Sequence, residues 1–159
     1  MNIQILTVGK LKEKYLGDAV AEYKKRLSRF CKISITELTD VKIPDRASLK
    51  EQEMVLKKEG DAILASISAS AYVVALCIEG GQLSSQAFAE TLSRLAIDGK
   101  SDICFIIGGS LGLSNEVKSR ANMQLSFSKM TFPLQLMRVI LFEQIYRCFK
   151  ILEGSAYHK

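Results

Sequence analysis

The chain has 159 residues and a formal net charge of +5, and nearly half of its residues are hydrophobic. A chain of this length forms a core that buries roughly 70% of the surface exposed in the unfolded state. We therefore expect one folded domain over residues 1–159, and the composition excludes a largely disordered chain. No apolar segment approaches the length of a membrane span, which argues against a transmembrane protein.

The cysteines and the histidine argue against disulfide and metal sites. Cys31, Cys77, Cys104 and Cys148 are widely spaced and form no C-x-x-C pair, so we expect reduced thiols in a cytoplasmic protein. The single histidine, His158, is distant in sequence from every cysteine. A zinc site requires several such ligands, so we expect no metal.

The first half of the chain predicts two strands and two helices. Residues 3–8 are typical of a buried strand, and apolar residues recur at spacings of three and four over residues 16–30, which predicts an amphipathic helix. Residues 33–35 alternate between apolar and polar, as in a half-buried strand. A loop at residues 44–46 and a polar helix over about residues 48–67 follow.

The second half predicts two central strands. Ala71 to Ile78 is a continuous apolar run typical of a parallel strand covered on both faces, and Gly80-Gly81 is expected to break the chain after it. Ser84 or Ser85 caps the next helix, and Asp102 to Ile107 forms the second central strand.

The last third predicts a short helix, a strand and a long helix. The short helix begins at about Ser114, the strand covers Gln124 to Ser128, and Pro133 fits the first turn of a helix from Leu134 to Leu152. This helix is apolar around most of its circumference, so we expect the core to cover one side and a second subunit to cover another.

Strands that alternate with helices predict an α/β fold with a mainly parallel sheet flanked by helices. Ligands of such sheets bind outside the carboxyl ends of the strands. The loops after Ile78, Ile107 and Ser128 are therefore expected to form a pocket.

Two of these loops carry residues suited to a ligand. Gly108 to Gly112 lacks a Cβ at three of five positions, so its main chain can approach a ligand closely, although a tight turn explains the same residues. Its G-G-x-x-G spacing, without a later acidic residue, argues against a dinucleotide fingerprint. Phe127 to Phe132 offers hydroxyls, a methionine and aromatic rings to an adenine or a thioether, and equally fits a strand end with core aromatics.

The basic charge lies at the C-terminal end. Residues 1–117 hold fifteen Lys and Arg against fifteen Asp and Glu, whereas residues 118–159 hold seven against two. Such a run is usually a solvated face, and a surface that contacts phosphates is the second interpretation. The terminal Tyr157-His158-Lys159 suits RNA by its ring, imidazole and amine, although a chain end is normally untethered.

Two arginines of the long helix are candidates for chemistry. Arg138 lies among apolar residues and needs a partner, which a phosphate, a carboxylate or the substrate can supply. Glu143 and Arg147 are spaced as an i,i+4 ion pair, an arrangement that usually contributes little energy.

These residues resemble the bacterial ribosomal large subunit methyltransferase H family of the SPOUT class of trefoil-knotted methyltransferases. The resemblance covers the whole chain. It is carried by the segments Val8-Gly9-Lys10, Lys58-Glu59-Gly60, Ile106-Ile107-Gly108-Gly109, Leu125 to Pro133, Arg138-Val139, Glu143 to Arg147 and Tyr157-His158-Lys159.

The resemblance implies a single SPOUT domain with a C-terminal trefoil knot, a homodimer and S-adenosylmethionine as methyl donor. The implied acceptor is a pseudouridine of 23S rRNA, methylated at N3 within the assembled ribosome. The donor is expected to contact Leu76, Gly108 and the residues Phe127, Ser128, Lys129, Met130, Thr131 and Phe132.

The hypotheses for catalysis involve the long helix and the tail. We expect Arg138 or Arg147 to stabilise charge or hold a phosphate, and the tail with Tyr157 and His158 to close over the base, from the partner subunit. Many relatives carry histidine after Pro133, where this chain has Leu134. One alternative function is a ribosome-associated RNA-binding protein without enzymatic activity. A second is a nicotinamide-dependent oxidoreductase, against which the missing dinucleotide fingerprint argues.

Overall fold

The computed structural model describes all 159 residues and contains a five-stranded, entirely parallel sheet with the strand order β2-β1-β4-β3-β5. The elements in chain order are β1 (Asn2–Val8), α1 (Lys14–Leu27), β2 (Lys32–Leu38), α2 (Leu49–Ala65), β3 (Tyr72–Gln82), α3 (Ser85–Ile97), β4 (Asp102–Ile107), α4 (Asn115–Arg120), β5 (Met123–Ser126), α5 (Leu134–Leu152) and a closing 3₁₀ turn (Ala156–His158). The predicted α/β fold with flanking helices is confirmed.

The sheet has a hydrophobic core on each face because successive side chains of a strand point in opposite directions. In β4, Ile103 and Phe105 enter the core shared with α1, α3 and α5, whereas Cys104 and Ile106 enter the core shared with α2 and α4. Burial on both faces explains the continuous apolar run in this strand.

The strand order places three carboxyl ends side by side. β3 lies between β4 and β5, so the chain crosses from one side of β3 to the other after β4. Leu76 of β3 pairs with Ile107 of β4 and with Leu125 of β5. The segments that follow these three strands therefore begin next to one another.

The expected break at Gly80-Gly81 is wrong. β3 continues to Gln82, with a shift of its register against β5 between Leu76 and Gly81. A Cβ on Gly80 would lie 2.7 Å from the main-chain carbon of Gln124, so glycine here permits close approach of two strands.

Two predicted boundaries near β5 are also shifted. The strand ends at Ser126 rather than Ser128, because the Ser126 hydroxyl donates to the Ser128 carbonyl at 2.9 Å and the chain turns there. Pro133 has an extended backbone conformation and precedes the first turn of α5 as its N-cap. The predicted bounds of α5 itself are confirmed.

The C-terminal tail is attached, which corrects the expectation of an untethered end. Ser155 caps the closing 3₁₀ turn by accepting the Tyr157 N–H. The Tyr157 ring packs edge-on against Tyr146 of α5, with 5.1 Å between the ring centroids. Aromatic packing thus holds the tail against the helix from which it emerges.

All four cysteines are free, as predicted. None of the helices combines the length and the apolar character required to cross a membrane. The structure contains no group of three or more His, Cys, Asp or Glu residues placed to hold a metal ion.

Candidate active site

A cleft of about 370 Å³ opens at the carboxyl ends of β3, β4 and β5. Its lining comes from the ends of all three strands and the segments that follow them, with contributions from α4 and α5. The lining residues are Leu76, Cys77, Ile78, Glu79, Ile107, Gly108, Gly109, Ser110, Leu111, Gly112, Leu113, Lys118, Leu125, Ser126, Phe127, Ser128, Met130, Thr131, Phe132, Leu134 and Met137. The loops after β4 and β5 converge on this cleft as predicted, whereas no loop follows Ile78: the third contribution comes from Leu76 to Glu79, which are part of β3.

The turn between β4 and α4 forms one wall of the cleft from main chain. The Gly112 N–H donates to the Gly109 carbonyl at 3.0 Å, and Gly112 adopts a positive φ of 81°. A Cβ on Gly108 would lie 2.5 Å from the Gly112 carbonyl oxygen, a separation that real structures do not tolerate. Glycine at 108 and 112 therefore permits this narrow turn.

The segment after β5 forms the opposite wall. Phe127, Ser128, Met130, Thr131 and Phe132 line the cleft, in agreement with the expected donor contacts.

Lys129 is the exception in this segment. Its side chain is exposed and does not line the cleft, so this part of the prediction is not supported by the geometry. A lysine ammonium is strongly hydrated and remains in water unless a partner compensates for its burial.

Only two charged side chains line the cleft, and they form an ion pair. Lys118 of α4 donates to Glu79 near the end of β3, and this hydrogen bond holds the pKa of the Glu79 carboxyl below its ordinary value. Sequence reasoning missed both residues. An acid at the end of an apolar strand is a weak signal for Glu79, whereas Lys118 reaches the cleft only through the placement of α4.

Arg138 does not line the cleft. Its side chain is 3% exposed, and Nη1 donates to Glu37 Oε1 at 2.5 Å while Nη2 donates to the Gly9 carbonyl. Of the three kinds of partner expected, the structure provides a carboxylate from the same chain. The arginine thereby connects the start of α5 to the ends of β1 and β2.

The other predicted catalytic residues, Arg147, Tyr157 and His158, form with Glu143 a separate cluster, the tail cluster. Arg147 donates to Glu143 Oε1 from Nη2 at 2.6 Å and from Nε at 2.9 Å, which confirms the predicted i,i+4 pair. Arg147 Nη1 lies 3.5 Å from His158 Nδ1, and the Tyr157 hydroxyl donates to Glu143 Oε1 at 3.4 Å. Burial raises the pKa of Tyr157 to about 12, so this phenol keeps its proton at neutral pH.

The tail cluster and the cleft lie at different ends of α5. Leu134 lines the cleft, and Arg147 follows thirteen residues later, which corresponds to about 20 Å along a helix. No residue after Met137 lines the cleft. Within one chain, the predicted donor site and the predicted catalytic tail are therefore not assembled into one site.

Comparisons with known proteins identify the family. The model of the family described as "Predicted SPOUT methyltransferase" matches residues 1–158. Ribosomal RNA large subunit methyltransferase H of Clostridioides difficile (strain 630) is 57% identical to this chain, and that of Clostridium novyi (strain NT) is 58% identical; both alignments cover the full length of both proteins. The chain belongs to this family.

Solved structures support the SPOUT fold. A probable methylase family protein from Haemophilus influenzae Rd KW20 matches 99% of this chain and 70% of its own chain, with a TM-score of 0.55 and 12% identity. A probable methyltransferase from Bordetella pertussis Tohama I matches 92% of this chain and 95% of its own, with a TM-score of 0.56 and 11% identity. The C-terminal trefoil knot is implied by membership of the SPOUT family.

The SPOUT methyltransferase family uses S-adenosylmethionine as methyl donor, and the cleft suits this molecule. Its volume is within the range of about 300–1,000 Å³ that is typical of small-molecule sites. Twelve of the 21 lining residues are hydrophobic, which suits an adenine ring, and the glycine turn exposes main chain for polar groups. Membership of a methyltransferase family argues against the alternative of a non-enzymatic RNA-binding protein.

Proposed function

We propose that this chain transfers a methyl group from S-adenosylmethionine to N3 of a pseudouridine in the 23S rRNA of the assembled ribosome, in the cytoplasm. The observation that carries the proposal is the convergence of β3 and of the loops after β4 and β5 on one cleft. Relatives more than 50% identical along the whole chain are named ribosomal RNA large subunit methyltransferase H, which supports rRNA as the acceptor.

The proposed donor contacts are Leu76, Gly108 and the lining residues between Phe127 and Phe132. We add the Glu79–Lys118 pair, since a zwitterionic amino-acid group and ribose hydroxyls need polar partners in an otherwise uncharged cleft. When bound, the donor supplies an electrophilic methyl group on a sulfonium. The chain aligns that methyl group with the acceptor and excludes water, which are the main requirements of an in-line displacement.

The transfer also requires removal of the N3 proton or stabilisation of the developing negative charge. We assign charge stabilisation to Arg147 and contact with the base to the tail residues Tyr157 and His158. Tyr157 acts here as a hydrogen-bond donor, since a phenol is protonated at neutral pH and burial raises its pKa further. Arg138 is given a positioning role, since its side chain is 3% exposed and lies outside the cleft, whereas the side chain of Arg147 is 25% exposed beside the tail.

A homodimer would bring the tail cluster of one chain to the cleft of its partner. Arg147 of the tail cluster lies about 15 Å along α5 from Met137, the last residue of this helix that lines the cleft of its own chain, whereas a two-fold axis across α5 would place one chain's tail beside the partner's cleft. Apolar side chains available for this contact include exposed Leu83 and Leu136 and half-buried Ile140. We therefore propose that two copies form each complete active site.

Mass spectrometry of 23S rRNA from cells with and without this protein tests the proposal. The expected result is one methylated pseudouridine that disappears when the protein is absent and returns with the unchanged chain. Incubation of the purified protein and donor with either assembled ribosomes or free rRNA identifies the substrate form. An rRNA whose modifications are identical in both strains would refute the proposed acceptor.

A further inference from the structure

Glu59 of α2 is a buried acid that neither the proposed donor contacts nor the tail cluster uses. The residue is 5% exposed. Its Oε1 accepts the N–H of Val41 at 3.1 Å, whereas Oε2 has no hydrogen-bond partner. No cation pairs with this carboxyl, and the nearby charged group is Asp40, which has the same sign.

The carboxyl group lies directly behind the glycine turn of the cleft. A Cβ on Gly109 would lie 2.6 Å from Glu59 Oε2 and 3.1 Å from Oε1. The next residue of α2 has a similar role, because a Cβ on Gly60 would lie 2.5 Å from the hydroxyl oxygen of Ser114, the N-cap of α4. The Glu59-Gly60 step of α2 thus supports both ends of the segment between β4 and α4.

An unpaired buried carboxyl reduces stability, so its presence here needs a local explanation. Burial raises the pKa of Glu59 above its ordinary value, which favours the neutral acid. A neutral carboxyl has one O–H donor and one carbonyl acceptor. The acceptor side receives the Val41 N–H, and the other oxygen faces the main chain at Gly109.

We propose that Glu59 is a positioning residue for methyl transfer: it holds the Gly109–Gly112 turn in the shape that lines the donor cleft and connects that turn to the segment containing Val41. The proposal rests on the donor site proposed above. The turn faces the cleft, and Glu59, which does not line the cleft, approaches the turn at Gly109, so donor and Glu59 would both act on this turn.

Calorimetric titration with S-adenosylmethionine tests this role. Glu59→Ala is expected to weaken donor binding roughly tenfold, equivalent to about 1.4 kcal/mol. Glu59→Gln keeps the size of the side chain, a carbonyl acceptor for the Val41 N–H and an N–H donor in place of the O–H, so its donor affinity should stay within about twofold of the unchanged chain. The matched control is Glu53→Ala, which removes an exposed acid from the same helix.

A double-mutant cycle separates positioning from general destabilisation. Gly109 does not adopt a positive φ, and the three atoms nearest to a Cβ at this position all belong to Glu59, so the main effect of Gly109→Ala is a close contact with that side chain. Gly109→Ala should weaken donor binding when Glu59 is present. In the Glu59→Ala background it should cause little further loss of affinity. Additive effects, or donor affinity that Glu59→Ala leaves unchanged, would overturn the proposal.

Hydrogen exchange at the Val41 amide supplies a second measurement. Bound donor should increase the protection of the Val41 amide in the unchanged chain and in Glu59→Gln, but not in Glu59→Ala. Protection that does not depend on donor would overturn the proposed connection between the turn and the segment containing Val41. If Glu59→Ala does not fold, normal donor affinity in Gly109→Ala would overturn the proposal. If the unchanged chain fails to bind donor, the donor site itself fails, which distinguishes that outcome from a failure of Glu59 alone.

Discussion

The two ends of α5 differ in how firmly their functional groups are held. At the cleft, main-chain segments approach so closely that a single added Cβ at Gly108 would lie 2.5 Å from a carbonyl oxygen. At the tail cluster, Tyr157 and His158 are held by hydrogen bonds and polar contacts of 3.3–3.5 Å and by aromatic packing. One chain therefore builds a closely packed cleft, whereas its tail is held by longer contacts, which is compatible with the proposed contact between the tail and an acceptor base in a partner's cleft.

The largest expected effect is the loss of the donor site in Gly108→Arg. The new side chain has no space within the turn and would fill the cleft, so calorimetry should detect no binding of S-adenosylmethionine. Gly81→Arg is the matched control, since a Cβ there has no neighbour closer than 4.0 Å. Normal donor affinity in Gly108→Arg would remove this turn from the donor site.

Deletion of residues 157–159 should affect the tail cluster and leave donor binding in the cleft unchanged. Methylation of ribosomes is expected to fall below detection, whereas donor affinity stays unchanged because no residue after Met137 lines the cleft. The measurement is methyl incorporation into ribosomes together with donor titration.

A mixture of tail-deleted and Gly108→Arg chains tests the proposed exchange between subunits. Mixed dimers contain one intact cleft beside one intact tail and should recover part of the activity. Full turnover by the deleted chain would reject the role of the tail, and no recovery in verified mixed dimers would reject its action on the partner's cleft.

Stability should separate the two arginines. Arg138→Ala removes a buried guanidinium that pairs with the one-third-exposed Glu37 and is expected to lower the free energy of unfolding by about 1.5–3 kcal/mol, the range for a hydrogen bond to a charged group. Arg147→Ala removes a partly exposed i,i+4 pair and should cost about 1 kcal/mol or less. Urea unfolding of both variants measures the difference, and equal losses would contradict the contrast in burial.

The smallest expected effect is a change in the rate at which the Cys77 thiol is alkylated. Cys77 is half-buried and lines the cleft, whereas the other three cysteines are buried and burial raises the pKa of Cys148 to about 12. Iodoacetamide should therefore modify Cys77 before the other cysteines. The reaction should be slow because burial also raises the pKa of the Cys77 thiol, and bound S-adenosylhomocysteine should slow it further. Mass spectrometry identifies the site, with Cys77→Ser as control; labelling unaffected by the ligand would place the donor away from this wall.

The sequence by itself predicted the elements and the loops. Patterns of local hydrophobicity depend on neighbouring residues, so the run at Asp102–Ile107 and the bounds of Leu134–Leu152 were predicted as the structure has them. The same patterns, with the rule that ligands bind at the carboxyl ends of parallel strands, predicted that the loops after β4 and β5 form the cleft, whereas the third predicted loop, after Ile78, is part of β3. Glycine gave a weaker signal, since Gly80 permits close strand approach rather than ending β3.

Only the tertiary structure decided which distant groups meet. Arg138 pairs with Glu37 across 101 positions, Lys118 meets Glu79 across the cleft, and Glu59 rests behind Gly109. These contacts depend on strand order and helix placement. The local sequence around each residue does not indicate which distant residue it meets. For the same reason, the separation between the cleft and the tail became visible only when α5 was placed as a rigid helix of nineteen residues between them.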